Sequence, residues 1–273
     1  MWYKAYNVRG WKSEVSVNLE GNVSVMADGK LNLEILDNLS ALSVRCLDFF
    51  IERVNQVLDK NEQFMVAISG GHTPECFYEL LGHSPKALAL RWERIHLFWV
   101  DERCVPSDST SSNYKLALDT FLTKVSIPAK NIHRIEAEKD DVTASARAYE
   151  KEMQKVFGIG AGEVPSFDLI ILGMGAEGHM ASLFPNSSAS FDERDLASVV
   201  YELDNDYSRI TLTHPIFRAA SDILILVSGA EKAGILKEVF TNEPDEVRYP
   251  VHLLWPILDR VTWLIDKDAA RLL

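Results

Sequence analysis

Five short apolar runs are spread along the chain, and each has the length of a buried strand. They are Phe64–Ile68, Ile95–Val100, Leu169–Leu172, Ile223–Val227 and Val261–Ile265. Their apolar character is continuous rather than alternating, which is typical of strands that are covered on both faces in a parallel sheet.

Helical spacing of apolar residues predicts the segments that lie between these strands. The predicted helices are Leu33–Leu58, Val142–Phe157 and Glu231–Phe240. This alternation predicts an α/β fold of the Rossmann-like type, with an open, doubly wound, mostly parallel sheet and helices on both faces. Arg209–Thr213 is a further candidate strand. We expect residues 31–273 to form a single α/β domain and residues 1–30 to form an irregular or β-like N-terminal extension.

Four of the predicted strands are each followed at once by an unusual polar cluster. The clusters are Ser69–Pro74, Asp101–Arg103, Gly173–His179 and Ser228–Lys232. The carboxyl ends of parallel strands lie along one edge of a sheet, where open α/β folds bind their ligands. We therefore expect the four clusters to lie close together.

The first cluster is typical of an anion site. Gly70 and Gly71 let backbone N–H groups turn toward a ligand, Thr73 is a candidate N-cap, and Pro74 suits the first helical position. A Gly-Gly pair alone would favour a plain strand-to-helix turn. The other clusters on the same edge favour phosphate.

The third cluster contains G-x-G-x-x-G at Gly173, Gly175 and Gly178, a pattern found in dinucleotide sites. That site needs a long helix after the glycines, and Pro185 ends any helix within two turns. A dinucleotide site is therefore excluded. What remains is a turn that presents Glu177 and then His179 at a predicted helix start, where an imidazole is well suited to be a general base.

The composition of the chain limits the classes of molecule that it is expected to bind. The 273 residues are 47% hydrophobic and carry a formal charge of −12, which argues against nucleic acid and anionic membranes but not against a small anion. Three widely spaced cysteines form no disulfide framework, and no pair of histidines has metal-ligand spacing. The chain has no signal-peptide pattern at its N-terminus and no apolar run long enough to span a bilayer. We expect a cytoplasmic protein without a metal.

Taken together, the motifs resemble a known family. They are Ser69-Gly70-Gly71-x-Thr73-Pro74, Asp101-Glu102-Arg103 with Ser112-Asn113, Gly173-x-Gly175-x-x-Gly178-His179-x-Ala181-Ser182-Leu183-Phe184-Pro185, Arg209–Thr213 and Gly229-x-x-Lys232. From about residue 34 to the C-terminus, the chain resembles the 6-phosphogluconolactonase family, which belongs to a wider group with glucosamine-6-phosphate deaminase.

The lactonase branch of this group fits better than the deaminase branch. Deaminases usually carry an aromatic residue after Asp-Glu, where this chain has Arg103, and Ala-Phe-Asn-Glu-Pro where it has Ala181–Pro185. Two departures are visible. His72 stands where Ser is commoner, and Glu177 stands where Asp is commoner.

The resemblance implies hydrolysis of 6-phospho-D-glucono-1,5-lactone to 6-phosphogluconate, the second step of the oxidative pentose phosphate pathway, without a metal or organic cofactor. It makes His179 the general base and Glu177 its orienting or substrate-contacting partner. Backbone N–H groups of the Gly173–Gly178 turn are then expected to stabilise the oxyanion. The expected substrate and phosphate contacts are Ser69, Gly70, Gly71, Thr73, Asp101, Arg103, Asn113, Gly175, Gly178, Arg209 and Lys232.

Two other functions stay open from the sequence. The first is a deaminase or isomerase acting on glucosamine 6-phosphate. The second is a non-catalytic sugar-phosphate sensor domain, although the acidic chain offers no basic helix-turn-helix pattern. A weak homo-oligomer is also left open.

Overall fold

The computed structural model describes residues 31–201 and 207–273 in full. Of the first thirty residues it describes the backbone of two strands, Ser13–Val17 (β1) and Val23–Ala27 (β2), which form an antiparallel pair. The rest of the predicted N-terminal extension lies outside the described residues.

The other strands and the helices follow along the chain. The strands are Leu31–Leu36 (β3), Phe64–Ile68 (β4), Ile95–Trp99 (β5), Asp101–Arg103 (β6), Ile132–His133 (β7), Leu169–Gly173 (β8), Ala197–Val200 (β9), Arg209–Leu212 (β10), Ile223–Val227 (β11) and Val261–Asp266 (β12). The α-helices are Leu39–Leu58 (α1), His72–His83 (α2), Pro85–Leu88 (α3), Asn113–Ala117 (α4), Val142–Phe157 (α5), His214–Ala219 (α6) and Ala233–Thr241 (α7). Short 3₁₀ segments cover Trp92–Arg94, Ala129–Asn131, Ser188–Phe191, Ala230–Lys232 and Pro250–Arg260, and one π-helical turn covers Leu118–Leu122.

The main sheet has the strand order β1-β2-β3-β12-β11-β8-β4-β5-β7, and all of its pairings from β3 to β7 are parallel. From β4 the chain moves outward to β5 and β7, and from β8 it moves the opposite way to β11 and β12. Right-handed crossovers in opposite directions place their helices on opposite faces of the sheet. The predicted fold class is confirmed, and the order reverses between β4 and β8.

The central strands are buried over almost their whole length because helices cover both faces of the sheet. Every residue of β11 and β12 is buried, as are the first four of β8. All five predicted strands are therefore confirmed, and their continuous apolar runs are buried as that pattern predicts.

The predicted helix over Leu33–Leu58 is wrong at its start. Its first residues belong to β3, in which Leu31, Leu33 and Ile35 are buried, between β2 and β12. The helix begins only after Asn38, whose side chain accepts a hydrogen bond from the Ala41 N–H at 3.0 Å. The alternating apolar residues of β3 resemble helical spacing over so short a window.

Two further expectations need adjustment. The helix predicted from Glu231 begins with a 3₁₀ turn and becomes α-helical only at Ala233. The candidate strand at Arg209 exists as β10, but it pairs with β6 and β9 in a separate antiparallel sheet. Val100 joins the two sheets, since its N–H donates to Ile68 O at 2.9 Å and its carbonyl accepts from Leu212 N at 2.7 Å.

Candidate active site

A cleft of about 490 Å³ opens at the carboxyl ends of the strands on both sides of the β4–β8 reversal. This is the place where doubly wound sheets bind ligands. The cleft is lined by Leu39, Ser69, Gly70, Gly71, His72, Thr73, Pro74, Asp101, Arg103, Asn113, Gly173, Met174, Gly175, His179, Ala181, Arg209, Ser228, Gly229, Glu231 and Lys232. The structure therefore brings together residues of all four polar clusters, as the sequence predicted.

The loop after β4 differs in detail from the prediction. Helix α2 begins at His72, with Gly71 as its N-cap at φ 106°, a conformation that glycine adopts without strain. Thr73 is therefore not the N-cap, and Pro74 is the third helical residue rather than the first. The N–H groups of His72 and Thr73 belong to the unpaired first turn, where an anion is favoured.

Gly70 is required for a close approach. A Cβ at this position would overlap the side-chain amide of Asn113. Two buried polar atoms at the same end of the cleft, Ser69 Oγ and Asn113 Oδ1, have no hydrogen-bond partner within the described part of the chain. Buried polar atoms are normally satisfied, so these two are available to a ligand.

Asp101 and Glu102 are neighbouring buried carboxylates with different positions. Asp101 lines the cleft, and its two oxygens accept hydrogen bonds from Asn113 Nδ2 at 3.1 Å and Ser182 Oγ at 2.6 Å. Glu102 lies outside the cleft lining. It accepts hydrogen bonds from the backbone N–H groups of Asn113 and Tyr114 at 2.7 and 2.8 Å. Glu102 thus fixes the start of α4, and burial raises the pKa of its carboxyl.

Three cationic side chains line the cleft and make it suitable for an anion despite the acidic chain. Arg103 donates from Nη1 to Ser111 O at 2.8 Å, and the Arg209 guanidinium lies 5.3 Å from the centre of the Phe184 ring. Lys232 ends the 3₁₀ turn that leads into α7. Cations from three separate segments converge here, a pattern typical of phosphate binding.

His179 projects from the turn after β8, which we call the catalytic turn (residues 173–183). Its Nδ1 lies 2.9 Å from Glu177 Oε2, and its ring lies against Gly175, where a Cβ would overlap the imidazole. The ring centre is 4.5 Å from that of Phe184. The His179 side chain is 23% exposed and that of Glu177 is 65% exposed. Glu177 is not among the lining residues, so it influences the cleft only through its contact with the His179 imidazole.

Burial lowers the pKa of His179 below its ordinary value. The hydrogen bond and charge of Glu177 and the charge of Asp101 oppose this shift, whereas the charge of Arg209 adds to it. Because the pKa of His179 is lowered, the imidazole is mostly neutral at pH 7. A neutral imidazole is the form that accepts a proton.

The catalytic turn departs from the prediction in two ways. No helix begins at His179; the chain instead makes a tight turn in which Leu183 N donates to Met180 O at 2.9 Å. Gly178 does not line the cleft. Its φ of 78° serves the turn, and it packs beside Tyr249.

The expectation that backbone N–H groups of the Gly173–Gly178 turn stabilise the oxyanion also changes. The Gly175 N–H donates to His179 O at 2.9 Å, and the Gly178 N–H donates to Gly175 O at 3.1 Å. These two donors are used inside the turn, so they do not supply an oxyanion site in this conformation.

Sequence reasoning missed the residues that hold the clusters in place. Ser182 contacts Asp101, and Asp266 accepts hydrogen bonds from the Gly229 N–H at 3.1 Å and from the Ser228 hydroxyl. Asp266 is the last residue of β12, so the rule that polar residues follow strands at this edge would have found it. Ser182 carries no comparable signal.

A second cleft of about 500 Å³ lies beside α5 and is lined by Tyr114, Ala129, Ile132, His133, Arg134, Glu136, Ser145, Ala148, Tyr149 and Glu152. Its charged groups pair with carboxylates: Arg134 Nη2 lies 2.7 Å from Glu138, and His133 Nδ1 lies 2.9 Å from Glu152. None of the residues of the four polar clusters lines it, so we place the candidate active site in the first cleft.

Among the described residues, no group of three His, Cys, Asp or Glu residues is arranged to hold a metal ion. No helix among them combines the length and apolar character needed to cross a bilayer.

The sequence profile of the family described as glucosamine-6-phosphate isomerases/6-phosphogluconolactonase matches residues 37–263. The chain belongs to this family. It is 37% identical over 240 residues to a 6-phosphogluconolactonase of Nostoc sp., an alignment that covers 88% of this chain and 97% of the relative.

Solved structures give the same fold. A 6-phosphogluconolactonase from Trypanosoma cruzi is 28% identical, with a TM-score of 0.78 and coverage of 89% of this chain and 96% of the other. A monomeric glucosamine-6-phosphate deaminase is 21% identical, with a TM-score of 0.73 over 88% of this chain and 99% of the other, and it shares the fold.

Proposed function

We propose that this protein hydrolyses 6-phospho-D-glucono-1,5-lactone to 6-phosphogluconate, the second step of the oxidative pentose phosphate pathway, with His179 as the general base. The observation that carries the proposal is an imidazole, paired with a carboxylate, in a cleft that also holds three cations and a glycine loop. The name of the Nostoc relative supports the same substrate.

The phosphate group is assigned to the cationic end of the cleft. The N–H groups of His72 and Thr73 at the start of α2 and the side chains of Arg103 and Lys232 supply the donors there. Ser69 Oγ, which is buried and has no hydrogen-bond partner among the described residues, is a further contact at this end. Binding here leaves the lactone ring to extend toward His179.

The Glu177 contact sets the proton position on His179. A carboxylate accepts, so Nδ1 carries the hydrogen and Nε2 is left as the acceptor. Nε2 takes a proton from water as the water oxygen bonds to the lactone carbonyl carbon. The charge of Arg209, which reaches His179, is then placed to stabilise the oxyanion.

Collapse of the tetrahedral intermediate completes the reaction. The bond from the carbonyl carbon to the ring oxygen breaks, and His179 returns its proton to that oxygen. The ring opens to the acid, which ionises. An activated ester of this kind needs no covalent nucleophile.

The cytoplasmic location and the weak homo-oligomer stay predictions from the sequence.

Acid release from freshly generated 6-phosphogluconolactone at neutral pH tests the proposal. The expected result is a rate well above spontaneous hydrolysis, with saturation in substrate. A rate equal to the spontaneous one would rule the lactonase out. Ammonia release from glucosamine 6-phosphate would support the deaminase instead, and thermal stabilisation by 6-phosphogluconate without turnover would support the sensor.

A further inference from the structure

Ser182 is fully buried and lies only three residues after His179 in the catalytic turn. Its hydroxyl donates to Asp101 Oδ2 at 2.6 Å, and its N–H donates to Thr211 Oγ1 at 3.2 Å. It thus connects the turn to β6 and to β10. The turn also has backbone hydrogen bonds of its own, among them the one from Leu183 N to Met180 O.

The backbone between His179 and Ser182 is unusual. Ala181 has φ 50°, a left-handed conformation that residues other than glycine rarely adopt. This residue turns the chain so that His179 lines the cleft while Ser182 lies inside the protein against Asp101. Strained backbone that persists at a ligand site is a sign that the side chains it places are needed there.

Asp101 is the residue that Ser182 holds. It is 4% exposed, and Ser182 and Asn113 donate to its two carboxylate oxygens. A carboxylate that accepts hydrogen bonds at both of its oxygens is fixed in orientation. Its charge reaches His179 and favours the protonated imidazole.

The other charged groups around His179 act from different elements. Glu177 comes from the same turn and Arg209 from β10, and they act on the imidazole in opposite directions. Four more titratable groups line the same cleft: His72, Arg103, Glu231 and Lys232. Asp101 differs from the other groups that act on His179. It is a buried carboxylate, and the Ser182 side chain of the catalytic turn holds it in place.

We propose that Ser182 is a positioning residue for the reaction: its hydroxyl holds the Asp101 carboxylate in the cleft that His179 also lines, and so stabilises the imidazolium that forms when His179 takes the proton from water. This inference rests on the proposed function for its catalytic meaning.

The direct test is the titration of the His179 imidazole by NMR in the wild-type protein, Ser182→Ala and the control Ser43→Ala. Ser43 is also buried, and its replacement by Ala also removes a hydrogen bond, which the Ser43 hydroxyl donates to Leu39 O at 2.8 Å. It lies on α1, away from the catalytic turn in sequence. In Ser182→Ala, the pKa of His179 is expected to fall, because a loosened Asp101 favours the imidazolium less. An unchanged titration, or the same shift in Ser43→Ala, would overturn the proposal.

Turnover gives an independent readout. Ser182→Ala is expected to lower kcat about tenfold with a smaller change in KM, since a hydrogen bond to a carboxylate that acts on His179 is lost. In an Asp101→Asn background, Ser182→Ala is expected to add little, because both changes act through one carboxylate. Full additivity of the two losses would overturn the proposal.

Two outcomes must be kept apart. If the wild-type protein lacks lactonase activity, the proposed function fails, yet the His179 titration still tests the role of Ser182. If Ser182→Ala does not fold, Ser182→Cys is close in shape and keeps a weak donor, so it is expected to give a smaller shift in the same direction. No shift in folded Ser182→Cys would also contradict the proposal.

Discussion

The glycine loop (residues 69–74) and the catalytic turn follow neighbouring strands, β4 and β8, and both begin with glycines, yet they contribute differently to the cleft. After the glycine loop a helix begins at once, so the loop offers backbone N–H groups to a ligand. After the catalytic turn no α-helix follows directly, and the left-handed residue Ala181 separates the side chains of His179 and Ser182. The element that follows the glycines decides whether the backbone or the side chains act.

The comparison is tested most strongly by His179→Ala. Loss of a general base is expected to lower kcat by about 10² to 10⁴ while KM changes little. Steady-state lactone hydrolysis measures both constants. The control is His83→Ala at the end of α2, whose imidazole contacts the Glu79 carbonyl and does not line the cleft. Equal losses in both variants would contradict the assignment of His179.

Gly175→Ala is expected to damage the catalytic turn through geometry alone. The added Cβ would overlap the imidazole of His179 and displace it, and a displacement of about 1 Å can cost about 10² in rate. The expected result is a fall in kcat with normal folding. Gly234→Ala on α7, where a Cβ meets no atom within 4 Å, is the control and should keep full activity.

Gly70→Ala makes the matching change in the glycine loop and should affect binding instead. Its Cβ would overlap Asn113 and disturb the phosphate end, so KM is expected to rise about tenfold with a smaller change in kcat. Direct titration with 6-phosphogluconate would separate binding from turnover. A pure kcat effect would show that the two segments do not divide binding from catalysis.

Glu177→Gln is expected to have a smaller effect, with a specific pH signature. The Glu177 carboxylate raises the pKa of His179, so its removal lowers that pKa. The imidazole then stays unprotonated to lower pH, and the acid limb of kcat/KM moves to lower pH while the plateau falls about threefold to tenfold. Glu75→Gln, which removes the exposed partner of His72 at 3.2 Å, should leave the limb in place.

His72→Ser should have the smallest effect. This side chain is 87% exposed even though it lines the cleft, so we expect KM to change by less than about twofold. A larger rise in KM would mean that the imidazole, and not only the backbone of the loop, contacts the phosphate.

How far the sequence predicts this molecule depends on the range of the interactions. Strands β8 and β11 were predictable because burial on both faces leaves a continuous apolar run. The boundary between β3 and α1, at residues 36–39, was not predictable, because both elements place apolar residues at short spacing. His179 was recognisable from its motif, whereas the pairing of Asp101 with Ser182 joins residues 81 positions apart, which no local pattern records.

Val100 has a consequence for folding kinetics. Its N–H is bonded to β4 and its carbonyl to β10, so one residue is tied to partners more than thirty positions before it and more than a hundred after it. Pairings of such sequence separation form late, because loop closure must come first. In refolding from denaturant, helical circular dichroism should therefore return before lactone hydrolysis does.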